Sequence, residues 1–489
     1  MPRSFLGQTF SASAVLLTLL FSLPACESRP PSNIEKWSDV YLDSLADLSI
    51  ESLRSRTYSS RIQVEALLGG NSANEAYSSY FSADGTLPYK SYLASYDSDG
   101  LRIYTRIDIP AAQKPTGGYP VVIFIHGWYG RDAAPGYDFM YQAESLGSRL
   151  IDAYVDAGYL VLSPALRGHG TVAGVPAEGM AFLEAWDNGS YISPMFYAID
   201  VLNLLEGITD LGALDWTGWG MGRADAVSID RNRIHLIGHS QGGDAALAVL
   251  AVSGEGSTIR NQVRSGSIWS GCFGPRFEQA EIYGPMASTL EAFMSGDGQW
   301  TGSATGSDGT VNPNFIFGFP SDWIGTVDPD SADWTWQAET WSTPTVAAAL
   351  QSKYSEMYEA VNTFVSDINN ASFEIVTDET GKAVVQHDPR LAQAMQGIGG
   401  WNYEKYLSEA LHFHHSDQDY YSPSRWNAKL SSRINAAGGH SVDYVYPRNN
   451  HSLLISQYDW FSDGEVIEGI GYMLERDLAL FSSDDEKQH

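Results

Sequence analysis

Hydrophobic residues along this chain alternate between short apolar runs and longer amphipathic stretches. Residues 121–125 and 159–162 are continuously apolar and rich in branched side chains, which predicts strands buried on both faces. Residues 101–109 alternate apolar and polar positions, as is typical of an antiparallel strand. Helical stretches at 141–157 and 196–205 separate these runs. The alternation of strand and helix predicts an α/β fold with a doubly wound, mostly parallel sheet.

The same rhythm stops near residue 275 and resumes after residue 406. The intervening segment is rich in Gly, Ser, Asp and Trp and contains two stretches that look helical, 344–369 and 389–396. Connections longer than about 15 residues are rarely without structure. We therefore predict that 275–406 is an inserted lid or cap over the sheet.

The other domain boundaries follow from this pattern. Residues 27–94 are predicted to be a polar tether followed by a segment that packs on the main domain. Residues 95–274 and 407–489 are predicted to form one α/β domain. The late predicted elements are strands at 266–270, 410–414 and 442–446, and helices at 423–437 and 464–480.

The charge balance limits the partners that the chain can bind. The 489 residues include 29 Lys and Arg against 59 Asp and Glu, a net charge of −30. Nucleic acids and anionic membrane surfaces are bound through basic patches, so this balance argues against both. We expect no nucleic-acid partner and an acidic, solvated surface.

The first 26 residues resemble a signal peptide. Arg3 precedes an apolar run at 14–23, which is too short to span a bilayer, and Ala25 precedes Cys26. A small residue before cysteine is typical of a bacterial lipoprotein signal, in which the cysteine is lipidated. We predict lipidation at Cys26 and an extracytoplasmic, membrane-anchored protein, with ordinary secretion as the alternative. Cys272 would then have no intramolecular disulfide partner.

One sequence motif carries the candidate chemistry. An apolar run ends at Gly238, Ser240 stands at the centre of Gly-x-Ser-x-Gly, and an Ala/Leu-rich helical stretch begins at once. Strand, sharp turn and helix are the context in which this motif forms a nucleophile elbow. We expect Gly238 and Gly242 to be required because a Cβ at either position would collide with the neighbouring strand or helix.

A serine hydroxyl needs a base, and the base needs an acid that orients it. In folds with a nucleophile elbow, the acid and then the histidine follow the serine along the chain. His451 directly follows the last predicted strand and is better placed than His440, His412 or His414. Two candidate acids, Asp417 and Asp419, follow the strand at 410–414, and the pattern alone leaves both open.

Two backbone amides are predicted to bind an oxyanion. The amide of Gln241 lies at a helix N-terminus, and the amide of Trp128 lies in the loop after the strand at 121–125. The hydroxyl of Tyr129 is a possible third donor, and His126 is expected to hold the loop in place.

A metal centre is not predicted. His412, His414 and His415 cluster on one predicted strand, but successive strand residues face opposite sides of a sheet. The chain also contains no His-Glu-x-x-His motif. We therefore expect neither a metal nor another cofactor.

Several short segments follow one another in a recognisable order: residues 98–101, His126-Gly127, 167–170, 229–234, 238–243 and a late signature at His415, Ser416, Asp419, Ser422 and Pro423. Together they resemble bacterial α/β-hydrolases of the dienelactone hydrolase and prolyl oligopeptidase catalytic-domain type. The resemblance covers residues 95–274 and 407–480 and implies an α/β-hydrolase fold. It implies Ser240 as nucleophile, Asp419 as acid and His451 as base.

The resemblance implies a serine hydrolase that acts on a small ester or on a peptide. Prolyl oligopeptidases select peptides with an N-terminal β-propeller, and the roughly 60 residues before 95 are too few for one. We therefore expect an ester substrate first and a prolyl oligopeptidase-type peptidase or aminopeptidase as the alternative. A non-catalytic binding protein on a hydrolase scaffold is a further alternative.

Overall fold

The computed structural model describes most of the α/β domain and part of the inserted segment. The signal sequence with Cys26, the tether, Asp417 and the Trp-rich stretch 281–342 lie outside the described residues. The described residues are 39–68, 89–130, 133–141, 145–172, 175–186, 191–221, 227–280, 343–381, 383–416, 419, 422, 424–447, 449, 451–454 and 468–486.

Among the described residues, a nine-stranded mixed sheet forms the centre of the fold. Its order is β1-β2-β3-β5-β4-β8-β9-β12-β13, and two short hairpins, β6-β7 and β10-β11, lie apart from it. The strands are β1 Gln63–Leu67, β2 Lys90–Ser98, β3 Leu101–Ile109, β4 Tyr119–Ile125, β5 Leu160–Pro164, β6 Thr171–Val172, β7 Val175–Pro176, β8 Ile229–His239, β9 Ser265–Trp269, β10 Glu374–Thr377, β11 Ala383–Gln386, β12 Ala410–His415 and β13 His440–Val445.

Parallel and antiparallel strands occupy different parts of the sheet. The six strands from β5 to β13 are all parallel, whereas β1, β2 and β3 add to one edge in antiparallel pairs. This order, with strand crossovers on both sides, is the α/β-hydrolase arrangement. The prediction of an α/β-hydrolase fold with a doubly wound, mostly parallel sheet is therefore confirmed.

Helices cover both faces of the sheet, as a doubly wound fold requires. One face carries α1, α4, α5 and α8 over a large apolar core, and α2 and α9 cover the other face. The helices are α1 Ile50–Ser55, α2 Leu146–Asp156, α3 Met180–Trp186, α4 Ser193–Gly207, α5 Gln241–Ser253, α6 Thr343–Phe364, α7 Pro389–Gly397, α8 Ser424–Ala436 and α9 Gly469–Glu486.

The sheet begins earlier than the predicted domain boundary at residue 95. That boundary falls inside β2, and β1 also lies in the segment that was interpreted as packing alone. The serines of β2 made this segment look too polar for a buried strand, because the sequence does not show that their hydroxyls have hydrogen-bond partners. Ser98 donates to Asp200 at 2.6 Å, and Ser91 accepts a hydrogen bond from Arg106 at 3.0 Å. These partners remove the cost of burying the hydroxyls.

The described part of the inserted segment packs against the N-terminal segment. Leu42 forms a β-bridge with Val365, just after α6. The Leu42 amide donates to the Phe364 carbonyl at 2.7 Å, and the Ser366 amide donates to the Leu42 carbonyl at 2.9 Å. Ser49 pairs with Ile398 just after α7. The two segments therefore share the core on the α5 face of the sheet, and both predicted helices of the insertion are present.

Among the helices that the structure describes, none combines the length and the apolar character that a membrane span requires.

Candidate active site

The backbone at Ser240 has the strained conformation that the motif predicted. Ser240 joins β8 to α5 with φ 56° and ψ −125°, outside the regions that a non-glycine residue usually adopts. Such a conformation costs about 1–3 kcal/mol and persists only where surrounding contacts hold it. Hydrogen bonds supply that support: the Ser240 amide donates to Trp269 at 3.0 Å, and the Ser240 carbonyl accepts from Gly243 at 2.9 Å and Cys272 at 3.0 Å.

The glycines of the motif are required by close packing, as predicted. A Cβ on Gly238 would lie 2.4 Å from the carbonyl oxygen of Gly242. A Cβ on Gly242 would lie 2.2 Å from the carbonyl oxygen of His126, at the end of β4. The elbow therefore fits only because backbone atoms of β4, β8 and α5 approach one another directly.

Asp419 and His451 form a hydrogen-bonded pair. The Nδ1 atom of His451 lies 2.9 Å from Oδ1 and 2.8 Å from Oδ2 of Asp419. The Asp419 side chain is fully buried, and the His451 side chain is 22% exposed. The amide of Ser422 also donates to Asp419 Oδ1 at 3.3 Å. The buried carboxylate can thus fix the tautomer and the orientation of the imidazole ring.

This pair lies beside the elbow. The His451 ring centroid is 5.0 Å from that of His239, the residue before Ser240, and the Nε2 atom of His239 is 3.3 Å from the His451 carbonyl oxygen. Burial and, to a smaller extent, a charge on His451 lower the pKa of His239 to about 3. His239 is therefore neutral near pH 7.

The loop that carries Trp128 also meets Ser240. A Cβ on Gly127 would stand 2.9 Å from the Ser240 Cβ, so the backbone of this loop lies against the serine. Trp128 follows Gly127 directly, and Gln241 follows Ser240 and begins α5. The backbone segments that carry both predicted oxyanion donors therefore adjoin Ser240.

His126 anchors the same loop. The residue is buried, with Nε2 2.8 Å from the carbonyl oxygen of Ala165 and Nδ1 2.6 Å from that of Gly127. Burial lowers its pKa. The Tyr129 ring stacks on Tyr137 with centroids 3.7 Å apart.

The alternative histidines lie in other places. His412 and His414 are within β12, and both contact Asp477 of α9 on the opposite face of the sheet from α5. His440 begins β13 and is exposed. Of the candidate bases, His451 is the one that the structure pairs with a predicted acid.

Sequence reasoning missed two residues near the elbow. The Sγ atom of Cys272 lies 3.7 Å from the Ser240 hydroxyl, and Arg276 forms a buried ion pair with Asp244 of α5. Both follow β9, the parallel neighbour of β8. Parallel strands end at the same edge of a sheet, so the position of both residues soon after β9 was the sequence feature that could have placed them near the elbow.

Comparison with known proteins found similarity among solved structures. No protein-family model and no curated protein matches the chain. A puromycin hydrolase is 10% identical with a TM-score of 0.43, covering 81% of this chain and 40% of its own. An acetyl xylan esterase from Paenibacillus sp. R4 is 13% identical with a TM-score of 0.42, covering 92% and 99%. The dipeptidyl peptidase 4 of Porphyromonas gingivalis is 13% identical with a TM-score of 0.43, covering 82% and 36%.

This chain therefore spans about two fifths of the puromycin hydrolase and of the peptidase. Identities and TM-scores of this size leave the reaction and the substrate to be argued from the site itself.

Proposed function

We propose that this protein is a serine hydrolase that works through an acyl-enzyme. The observation that carries the proposal is the buried Asp419 carboxylate, 2.8 Å from Nδ1 of His451, beside a strained serine between a strand and a helix. A serine held in this way has its hydroxyl presented by the elbow, and a histidine with an oriented ring is the base that such a hydroxyl needs.

The reaction follows the acyl-transfer scheme. His451 Nε2 takes the proton of the Ser240 hydroxyl as its oxygen attacks the substrate carbonyl, and the amides of Trp128 and Gln241 bind the oxyanion. His451 then gives the proton to the leaving group, whose bond to the carbonyl carbon breaks. Water attacks the acyl-Ser240 with His451 again as base, which releases the acid and restores the serine. Asp419 stabilises the imidazolium at each stage.

We propose a carboxylic ester as the substrate. An alkoxide or phenoxide leaves more readily than an amine, so an ester asks less of the proton transfer from His451. The loop beside Ser240 also exposes two large aromatic side chains, Trp128 at 45% and Tyr129 at 38%, which suit an apolar acyl or aryl group. A serine peptidase or aminopeptidase remains the alternative, since the same groups can cleave an amide.

The first experiment separates these functions. Purified protein is assayed with p-nitrophenyl acyl esters and with aminoacyl p-nitroanilides. Turnover of the esters supports the proposal, and turnover of the anilides alone would replace it with the peptidase. A fluorophosphonate probe should label the folded wild type, and absence of labelling would favour a binding protein on a hydrolase scaffold.

The Ser240→Ala variant tests the nucleophile directly. Loss of the hydroxyl should reduce kcat by about 10⁶ and abolish fluorophosphonate labelling. Substantial residual turnover by this variant would assign the chemistry to another residue.

We also propose that the protein is a lipoprotein outside the cytoplasm, anchored through Cys26. The apolar run followed by Ala25 and Cys26 supports this proposal. Cys26→Ala expression, or globomycin treatment of wild-type cells, should change processing and shift the protein out of the membrane fraction. Unchanged processing and location would favour ordinary secretion.

A further inference from the structure

A second cluster of chemically capable side chains lies on the other face of the sheet. His412 and His414 stand two residues apart on β12, so both side chains point to the same face, where α9 presents Asp477. All three residues are buried, with His412 the most accessible at 8%. Within the described part of the chain, this is the group of three ligand-type side chains whose donor atoms lie within 4.8 Å of one another.

The expectation of no metal rested on the alternation of side chains along a strand. Successive strand residues do face opposite ways, and His415 points to the far face, where it contacts Asp443 at 2.7 Å. That rule leaves residues at i and i+2 together. The missing ligand comes from α9, about 60 residues later in the sequence, and only the packing of α9 on β12 brings it into place.

We propose that His412, His414 and Asp477 form a zinc-binding site. The ligand atoms are Nδ1 of His412, Nε2 of His414 and Oδ1 of Asp477. Oδ1 lies 3.4 Å from the first nitrogen and 3.0 Å from the second. Tetrahedral zinc sites have Zn–N and Zn–O distances of about 2.0–2.2 Å, so adjacent ligand atoms are about 3.3 Å apart. The two measured separations fit that geometry.

The surroundings also suit His414 as a ligand. A ligating imidazole usually has its second nitrogen hydrogen-bonded, which fixes the ring and its tautomer. The Nδ1 atom of His414 is 2.7 Å from the Tyr446 hydroxyl, to which Arg476 donates at 2.8 Å. Zinc binding selects the tautomer in which His414 Nδ1–H donates to the Tyr446 oxygen, leaving the Nε2 lone pair for the metal. The second Asp477 oxygen contacts the Tyr154 hydroxyl at 3.4 Å.

The site would join elements that carry the proposed catalytic groups. Asp419 lies four residues after His415, the end of β12, and His451 lies five residues after Tyr446. A zinc ion held by β12 and α9 would restrain the starting points of both loops. The proposed site is independent of whether Ser240 acts on an ester or a peptide.

Calorimetric titration of the full chain with zinc chloride, after dialysis against a chelator, tests the proposal. We expect one zinc ion per chain and a melting temperature that rises with zinc concentration. His412→Gln and Asp477→Asn should each remove this binding. Tyr446→Phe should weaken it about 10- to 100-fold, because it removes the hydrogen-bond partner of a ligand.

Asp443→Asn is the matched control. It alters a histidine–aspartate pair between β12 and β13, His415 with Asp443, that has no second imidazole. Zinc binding should be unchanged in this variant. If Asp477→Asn fails to fold, His412→Gln alters the most accessible of the three ligands and still decides the question. Failure of the wild type to bind zinc, or wild-type affinity in the folded His412→Gln variant, would overturn the proposal.

Discussion

At the scale of single residues, steric exclusion rather than attractive contacts determines the backbone geometry of the elbow. The hydroxyl of Ser240 is presented because two glycines let three backbone segments come within contact distance. The Gly-x-Ser-x-Gly pattern predicted this accurately, because the steric requirement is local in sequence. The choice between Asp417 and Asp419 was different: sequence pattern left both open, whereas the structure describes Asp419 in contact with His451.

The Asp419→Asn substitution should lower kcat by about 10⁴ while leaving the fold intact. The amide has nearly the same shape, but it can donate to Nδ1 and so favours the tautomer that lacks a free Nε2 lone pair. Steady-state kinetics on the preferred p-nitrophenyl ester measure the effect. Asp443→Asn changes the comparable pair with His415 and should retain activity. An Asp419→Asn enzyme with near wild-type kcat would remove Asp419 from the mechanism.

The Gly242→Ala substitution should destabilise the fold by about 1–3 kcal/mol or more and lower activity. The added Cβ would meet the backbone carbonyl of His126 at 2.2 Å, and a backbone atom cannot move away as a side chain can. Urea unfolding gives the free energy. Gly218→Ala is the control, since nothing lies within 4 Å of a Cβ there. Equal stabilities of the two variants would contradict the packing argument.

At the scale of elements, a buried ion pair connects the elbow helix to the start of the insertion. Arg276 donates to both carboxylate oxygens of Asp244, with 3.1 Å for the Nη2–Oδ1 contact, and both side chains are almost fully buried. Arg276 also donates to the carbonyl of Ile398, just after α7. Sequence patterns do not predict such a pair, because its members come from different elements and only tertiary packing buries them together.

Arg276→Met should destabilise the protein by about 3–5 kcal/mol, because it leaves the Asp244 carboxylate buried without its countercharge. Burial already raises the pKa of Asp244 against the opposing attraction of Arg276, so the lone carboxylate would be less favourable still. Chemical unfolding measures the loss. A second substitution, Asp244→Leu, should restore much of the stability.

The exposed pair Arg390–Asp388 provides the control for this prediction. Arg390→Met should change the unfolding free energy little, since water screens an exposed pair. If Arg276→Met lowered the unfolding free energy no more than Arg390→Met does, burial of the Arg276–Asp244 pair would not explain its contribution to stability.

At the scale of the whole molecule, several buried histidines make stability depend on pH. Burial lowers the pKa of His169, His235 and His239 to about 3, from an ordinary value of 6.5. In the unfolded chain these histidines take up protons below pH 6.5, whereas in the folded chain they stay neutral until the pH approaches 3. The stability present above pH 6.5 is therefore lost progressively as the pH falls from 6.5 towards 3.

His235→Asn should flatten this dependence. Burial and, to a smaller extent, the charge of Arg233 lower the pKa of His235, and its Nδ1 contacts the Ser265 hydroxyl at 2.7 Å, a contact that asparagine can imitate. Between pH 6 and 4, the slope of the unfolding free energy against pH should be smaller for the variant than for wild type. The expected difference between the two slopes is about 1.4 kcal/mol per pH unit. The exposed His440→Asn variant should follow the wild-type slope. Parallel curves for wild type and His235→Asn would contradict the prediction.

The sequence by itself determined the features that depend on neighbours along the chain. Apolar runs and amphipathic stretches gave the order of strands and helices, and the glycine spacing gave the elbow, because period and steric fit are local properties. Tertiary structure alone decided which distant groups meet: Asp419 with His451, Arg276 with Asp244, and Asp477 with His412 and His414. It also revealed β1 and β2, since the buried hydroxyls of Ser95 and Ser98 in β2 are stable only because Glu65 of β1 and Asp200 of α4 accept their hydrogen bonds.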